Sequence, residues 1–233
     1  MPFPSPLAEA HEIPPEPTKP FVEKTEDSVK IEEPAIEIPV KKESPEEIIA
    51  GVYKIPIEEL KIKTQAILRT ETNGIEDPNN PMQVKKSTAE ESIKIFGKEK
   101  FNQITANMSP EQKNIFVGQI TFSRYHQNAQ IAFEKFPSKT IEDLALISYN
   151  RGPGITKKMI SYFMANNPGT DCKVSWKNIV EYLKANSEKI DLALDLPPGK
   201  TREFTILGDT YVWRANLLEN PDVPRNMAFT KNR

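Results

Sequence analysis

Between Ile57 and Glu71 the apolar positions recur at helical spacing. Ile57, Leu60, Thr64, Ile67 and Leu68 share one face, and Glu71 continues the same stripe at its C-terminal end. The pattern predicts an amphipathic helix whose last turn points a carboxylate inward. Ser44-Pro45-Glu46-Glu47 places a serine, a proline and a glutamate at the N-cap, first and third helical positions, so a short helix should precede it, ending near Tyr53. Ser87-Thr88-Ala89-Glu90 reads as a second capping box, opening a helix through Ile93 and Phe96 that stops at Gly97. Ser109-Pro110-Glu111-Gln112 starts the longest helix, with Ile115, Gln119, Phe122, His126, Ala129 and Phe133 on one stripe. Thr140 is the expected cap of a helix from Ile141 to Tyr149, which Asn150-Arg151-Gly152-Pro153-Gly154 interrupts. Two more helices are expected near Ile155 to Asn166 and Ser175 to Asn186.

The tail admits two readings. Arg202 to Leu207, Gly208-Asp209, then Thr210 to Leu217 has the form of a β-hairpin with a glycine-first turn, whereas Trp213 to Glu219 also suits a final helix. The expected fold class is therefore mainly α, about seven helices, with either a small C-terminal hairpin or a final helix at the tail and a disordered N-terminal segment.

That segment stands apart in composition. Ten of the 21 prolines lie in the first 45 residues, among Glu, Lys, Thr and Ser, with neither a helical nor a strand period. Residues 1–43 are expected to form a disordered Pro/Glu-rich leader, a linker or reach toward a protein partner outside this chain. The ordered domain should occupy 44–233, as a core over 44–170 and a C-terminal extension over 171–233.

Charge follows the same division. The leader carries ten acidic residues and five lysines, a net of −5, so the formal −2 of the whole 233-residue chain leaves +3 for the remainder. A mildly basic domain suits a polyanionic surface such as a cell wall; its charge is too small and scattered to argue for nucleic acid. The composition, 37% hydrophobic and 27% charged, contains no apolar run long enough to span a membrane, and no signal peptide is visible at the N-terminus. A single cysteine, Cys172, excludes an internal disulfide.

Two histidines and one cysteine do not supply a zinc set, no serine stands in a nucleophile elbow, and Gly152-Pro153-Gly154 lacks the lysine of a phosphate loop. His126 is read as a core-facing histidine. Carboxylate chemistry remains. A glutamate half-buried among apolar side chains has its ionised form disfavoured, which makes Glu71 a candidate proton donor near neutral pH; the plainer alternative is a glutamate that decorates a helix end.

Thr70-Glu71-Thr72 at a helix end, Met82-Gln83 soon after, and Ser148-Tyr149-Asn150-Arg151-Gly152-Pro153-Gly154 closing a later apolar helix resemble, in order, the three motifs of the soluble lytic transglycosylases. These are the lysozyme-like enzymes that cleave peptidoglycan. Their motifs read Glu followed by Ser or Thr, Gly-Leu-Met-Gln, and Ala-Tyr-Asn-Ala-Gly-Pro-Gly. The resemblance extends over about residues 46 to 165, and its most specific string is Tyr-Asn-x-Gly-Pro-Gly.

The resemblance implies a lysozyme-like helical domain that needs no cofactor or metal and acts, as a monomer, on glycan strands in the cell wall or periplasm or in association with a phage. By position, Glu71 would be the catalytic acid and base. Thr72, Met82, Gln83, Tyr149, Asn150 and Tyr211 would serve substrate binding, with Tyr149 also holding Glu71 by a hydrogen bond. The implied reaction cleaves the MurNAc-GlcNAc β-1,4 bond and closes a 1,6-anhydro ring on the muramic acid. There are departures: Gln83 follows Glu71 at an offset of only twelve, Pro81 precedes Met82 where the family has a small residue, and Arg151 replaces a small alanine. Only Thr210-Tyr211-Val212 is similar to the family's closing Thr-Arg-x-Tyr-Val segment. Two alternatives stay open: a hydrolysing muramidase in which Glu76 or Asp77 positions a water, and a non-enzymatic wall-binding protein.

Overall fold

Every residue from Phe116 to His126 is buried, so the middle of α5 (Pro110–Ala132) is enclosed on all sides and forms the hub of the fold. The computed structural model describes residues 43–71, 80–170 and 173–224, which belong to one compact unit. The expectation of a disordered leader falls on residues outside the described ones, save Glu43. Helices α1 (Pro45–Tyr53), α2 (Ile57–Glu71), α3 (Lys86–Phe96) and α6 (Ser138–Arg151) pack around α5.

Serine caps start several of these elements. Ser44 and Ser109 each accept from the backbone N–H three residues on, and Glu47 and Gln112 answer by accepting from the serine N–H, completing both expected capping boxes. Ser175 does the same with Asn178 for α8 (Trp176–Ala185). Ser87 does not: α3 begins at Lys86, so Ser87 is already inside the helix. Thr140 likewise lies within α6, where its hydroxyl donates to the Val174 carbonyl over 2.8 Å and fastens the approach to α8. Gly152, at φ 94°, separates α6 from α7 (Pro153–Asn166), the expected interruption. Two short helices, α4 (Lys98–Thr105) and α9 (Ser187–Ala193), were not evident from apolar period.

Of the two readings of the tail, the final helix holds, and it begins earlier than Trp213. The tail contains no hairpin: residues Lys200–Leu218 form one helix, α10, and no strand occurs among the described residues. Phe204, Gly208, Tyr211, Ala215 and Leu218 form a stripe at intervals of three and four, joined by Thr201, Thr205 and Val212, and this face is buried. Gly208 is packing surface rather than a turn, facing Ile147 and Trp176. The buried face of α10 packs on α2 and α6.

Two cations bind α2 to its neighbours. Lys63 is 2% exposed and lies 2.8 Å from Glu142 on α6 and 2.5 Å from Glu219 after α10. Burial alone would lower its pKa, but the two carboxylates outweigh burial and hold it above the ordinary lysine value. Arg69 donates to the Leu218 carbonyl at 2.7 Å, to that of Asn220 at 2.9 Å and to that of Val223, satisfying acceptors at the C-terminal end of α10. The helix that carries Glu71 is thereby fixed to the helix that carries Tyr211. His126 is buried as expected, with Nε2 3.3 Å from Glu59, and burial lowers its pKa. No described helix is long and apolar enough to cross a membrane.

Candidate active site

Glu71 is the last residue of α2, and the stripe that precedes it carries it to the floor of a cleft of about 250 Å³. Leu60, Thr64 and Ile67 on that stripe are buried, as periodicity predicts. The carboxyl group keeps partial contact with solvent, yet burial dominates its environment and raises its pKa above the ordinary value; the Tyr211 hydroxyl acts in the opposite direction. That hydroxyl donates to Glu71 Oε1 over 2.8 Å. Tyr211 is 6% exposed and comes from α10 behind the carboxylate, so it contacts the acid and not the cleft wall.

Tyr149, the residue expected to hold Glu71, bonds elsewhere. Its hydroxyl donates to the carbonyl of Met82 over 2.8 Å, while its ring lines the cleft. Burial raises its pKa far above the ordinary value, with the nearby Glu71 charge adding to the effect, so Tyr149 remains a neutral donor. The two tyrosines thus divide the work differently from expectation: Tyr211 orients the carboxylate, and Tyr149 secures the turn opposite.

That turn, Asn80 to Gln83, is built with care. The Met82 N–H donates to Asn114 Oδ1 at 3.0 Å, Asn114 Nδ2 donates to Asn80 Oδ1 at 2.8 Å, and the Gln83 N–H closes the turn on the Asn80 carbonyl at 3.0 Å. Met82 does not line the cleft. Its side chain is fully buried and lies over Gly118, where a Cβ would stand 2.5 to 2.8 Å from its side-chain atoms. A buried methionine filling the gap left by a glycine serves packing, and its link to the site is the carbonyl that accepts the Tyr149 hydroxyl. Gln83 has a left-handed backbone, φ 48°, a conformation that costs a non-glycine residue about 1 kcal/mol. Its side chain lines the cleft and donates to the backbone carbonyl of Glu71, satisfying an acceptor at the end of α2.

Asn150 lines the cleft beside Tyr149, with Arg151, Gly152 and Pro153 continuing the wall. Thr72 lies outside the described residues, as do Glu76 and Asp77. Sequence reading missed Thr121 and Tyr125, which reach the cleft from one side of α5, and Lys85 and Thr88 from the start of α3. Thr121 and Tyr125 lie off the stripe that the sequence period assigns to this helix, so they carried no signal of facing a site. Among the described lining residues Glu71 is the only carboxylate. The described residues include no group of His, Cys, Asp and Glu arranged to hold a metal ion. The arrangement can therefore perform proton transfer: one acid of raised pKa, oriented by a neutral phenol, opens on a cleft with amide and hydroxyl groups at hand.

Compared with protein-family models, with curated proteins and with solved structures, the chain has no match, so the geometry around Glu71 is what bears on its function.

Proposed function

We propose that this chain is a peptidoglycan lytic transglycosylase of the lysozyme-like kind, with Glu71 as its single acid and base. The observation that carries the reading is the half-buried Glu71 carboxyl, raised in pKa by burial and bonded to Tyr211, on the floor of a cleft with no second described carboxylate. The order of the Glu-Thr, Met-Gln and Tyr-Asn-x-Gly-Pro-Gly strings supports it independently.

Protonated Glu71 gives its proton to the glycosidic oxygen as the bond from that oxygen to the muramic C1 breaks. Positive charge develops at C1. The sugar's own 6-hydroxyl attacks C1, its proton passes to the Glu71 carboxylate, and the 1,6-anhydro ring closes. The acid is restored and no water is consumed, so one carboxylate suffices where hydrolytic glycosidases use two. Tyr211 lowers the cost of the ionised intermediate state of Glu71, and Gln83 and Asn150 offer amide groups to the sugars. The nucleophile belongs to the substrate, which makes its attack effectively intramolecular. On this reading the partner is the glycan strand and the place of action is the cell wall.

Glu71→Gln tests the assignment. The amide is nearly isosteric but neither gives nor takes the proton, so release of soluble fragments from purified peptidoglycan should fall by about 10² or more while the circular dichroism spectrum is unchanged. Retention of more than about a tenth of the activity contradicts the assignment.

A further inference from the structure

The chemistry proposed above leaves the charge of Arg151 unused. Arg151 closes α6 directly after Tyr149 and Asn150, at a position where the resembled motif has a small alanine. Its side chain is only 19% exposed and lines the same cleft as Glu71. Nη2 donates to Glu203 Oε1 on α10 at 2.5 Å, and Nε is buried without a partner.

Glu203 does not cancel this charge alone, because it is shared. Lys200 Nζ lies 3.0 Å from its other oxygen, and the bonds from Lys200 and Arg151 together hold its pKa below the ordinary glutamate value. Two cations around one carboxylate leave a net positive charge at the cleft wall. Lys85 also lines the cleft. Apart from Glu71, the described lining carries cations and no anion.

A guanidinium presents a planar fork of donors that matches a carboxylate. The muramic ring bears one such group, the lactyl carboxylate on its 3-oxygen, and this is ionised only when no peptide is attached. In stem-bearing peptidoglycan the same carbonyl is a neutral amide. Carboxylates further along a stem peptide lie away from the ring. Arg151 has little reach toward them, since most of its side chain is packed and its head is bonded to Glu203. We propose that Arg151 binds the free lactyl carboxylate of muramic acid, so that the preferred substrate is glycan from which the stem peptides have been removed. This rests on the transglycosylase reading. It places the enzyme after an amidase-type hydrolysis, in which water adds across the lactyl-peptide amide and frees the carboxylate and the peptide amine.

Two polymers isolate the charge: glycan strands stripped of peptide by an amidase, and the same strands with their carboxylates converted to neutral amides by carbodiimide coupling to ammonia. The wild-type kcat/KM should favour the acidic polymer by about tenfold, the scale of one hydrogen bond to a charged group. The ratio should collapse toward one in Arg151→Ala, take an intermediate value in Arg151→Lys, and rise in Glu203→Gln, which releases the guanidinium. Added salt should lower the wild-type ratio. A wild-type ratio near one, or a ratio that survives Arg151→Ala, overturns the proposal. Should Arg151→Ala fail to fold, an unchanged ratio in Glu203→Gln and in high salt overturns it equally. Cleavage of both polymers at equal rates defeats this proposal alone, whereas failure to cleave these strands and intact peptidoglycan defeats the transglycosylase reading with it.

Discussion

The Tyr211 hydroxyl donates to Glu71 Oε1 over 2.8 Å, joining the end of α2 to the middle of a helix that begins nearly 130 residues further along the chain. Arg69, two residues before Glu71, holds the other end of that helix through the carbonyls of Leu218, Asn220 and Val223. The orientation of the acid thus depends on α10 being held against α2.

Tyr211→Phe removes the donor that favours ionised Glu71. The pKa of the carboxyl, already raised by burial, should rise further. In the proposed mechanism the first step needs the protonated acid, so activity should fall as pH rises through this pKa, and that limb of the profile should move to higher pH. The rate should drop by about tenfold, roughly 1.4 kcal/mol, because the ionised carboxylate formed in the reaction loses a hydrogen bond. The pH dependence of kcat/KM checks both effects; a slower enzyme with an unmoved limb would make Tyr211 a packing residue only.

Glu71 should also limit stability. Its folded pKa lies above the ordinary value of 4.5, so between the two the folded state binds more protons than the unfolded chain. The contribution is full below pH 4.5 and is lost as pH rises through the folded pKa. Glu71→Gln removes the buried charge and should melt above the wild type at neutral pH, with the difference closing at acid pH. Melting curves at several pH values decide; a variant less stable at neutral pH would mean that ionised Glu71 is favourably held.

Two glycines in helices should respond with opposite signs. At Gly118 a Cβ would meet Met82 Cβ and Cγ at 2.8 and 2.7 Å, atoms close to a backbone that Asn114 and Tyr149 already fix. Gly118→Ala should cost about 1–3 kcal/mol, displace the turn that carries Gln83, and reduce activity. At Gly208 the nearest atoms stand at 3.6 and 3.7 Å, ordinary contact, so Gly208→Ala should gain about 0.5–1 kcal/mol from helix propensity. Denaturant unfolding of both variants tests the pair.

Sequence period made α2 legible, including the inward direction of Glu71, because one face of that helix is apolar and the other is not. The serine caps at 44 and 109 were legible for the same local reason. Helix α10 was legible only over its last turns: its buried stripe mixes Gly208 and two threonines with apolar residues, and Gly208-Asp209 between two β-prone runs imitates a hairpin turn. Packing against Ile147 and Trp176 decides in favour of helix, and no local rule reports that contact. Long-range pairing also explains the exchanged roles of the tyrosines. Tyr149 is adjacent in sequence to the cleft residue Asn150, but the partner of its hydroxyl is set by the turn that Asn114 positions. Lys63 sits on an apolar face where a cation is not expected, and only the two carboxylates from α6 and the end of α10 make its burial possible.

Whether Glu71 acts without water is decided by a digest of purified peptidoglycan in water labelled with heavy oxygen. Transglycosylation predicts muramic ends that are lighter than the hydrolysed sugar by one water and carry no label, and it predicts their loss in Glu71→Gln. Reducing ends that carry one heavy oxygen would rule out anhydro-ring closure and make the protein a hydrolase.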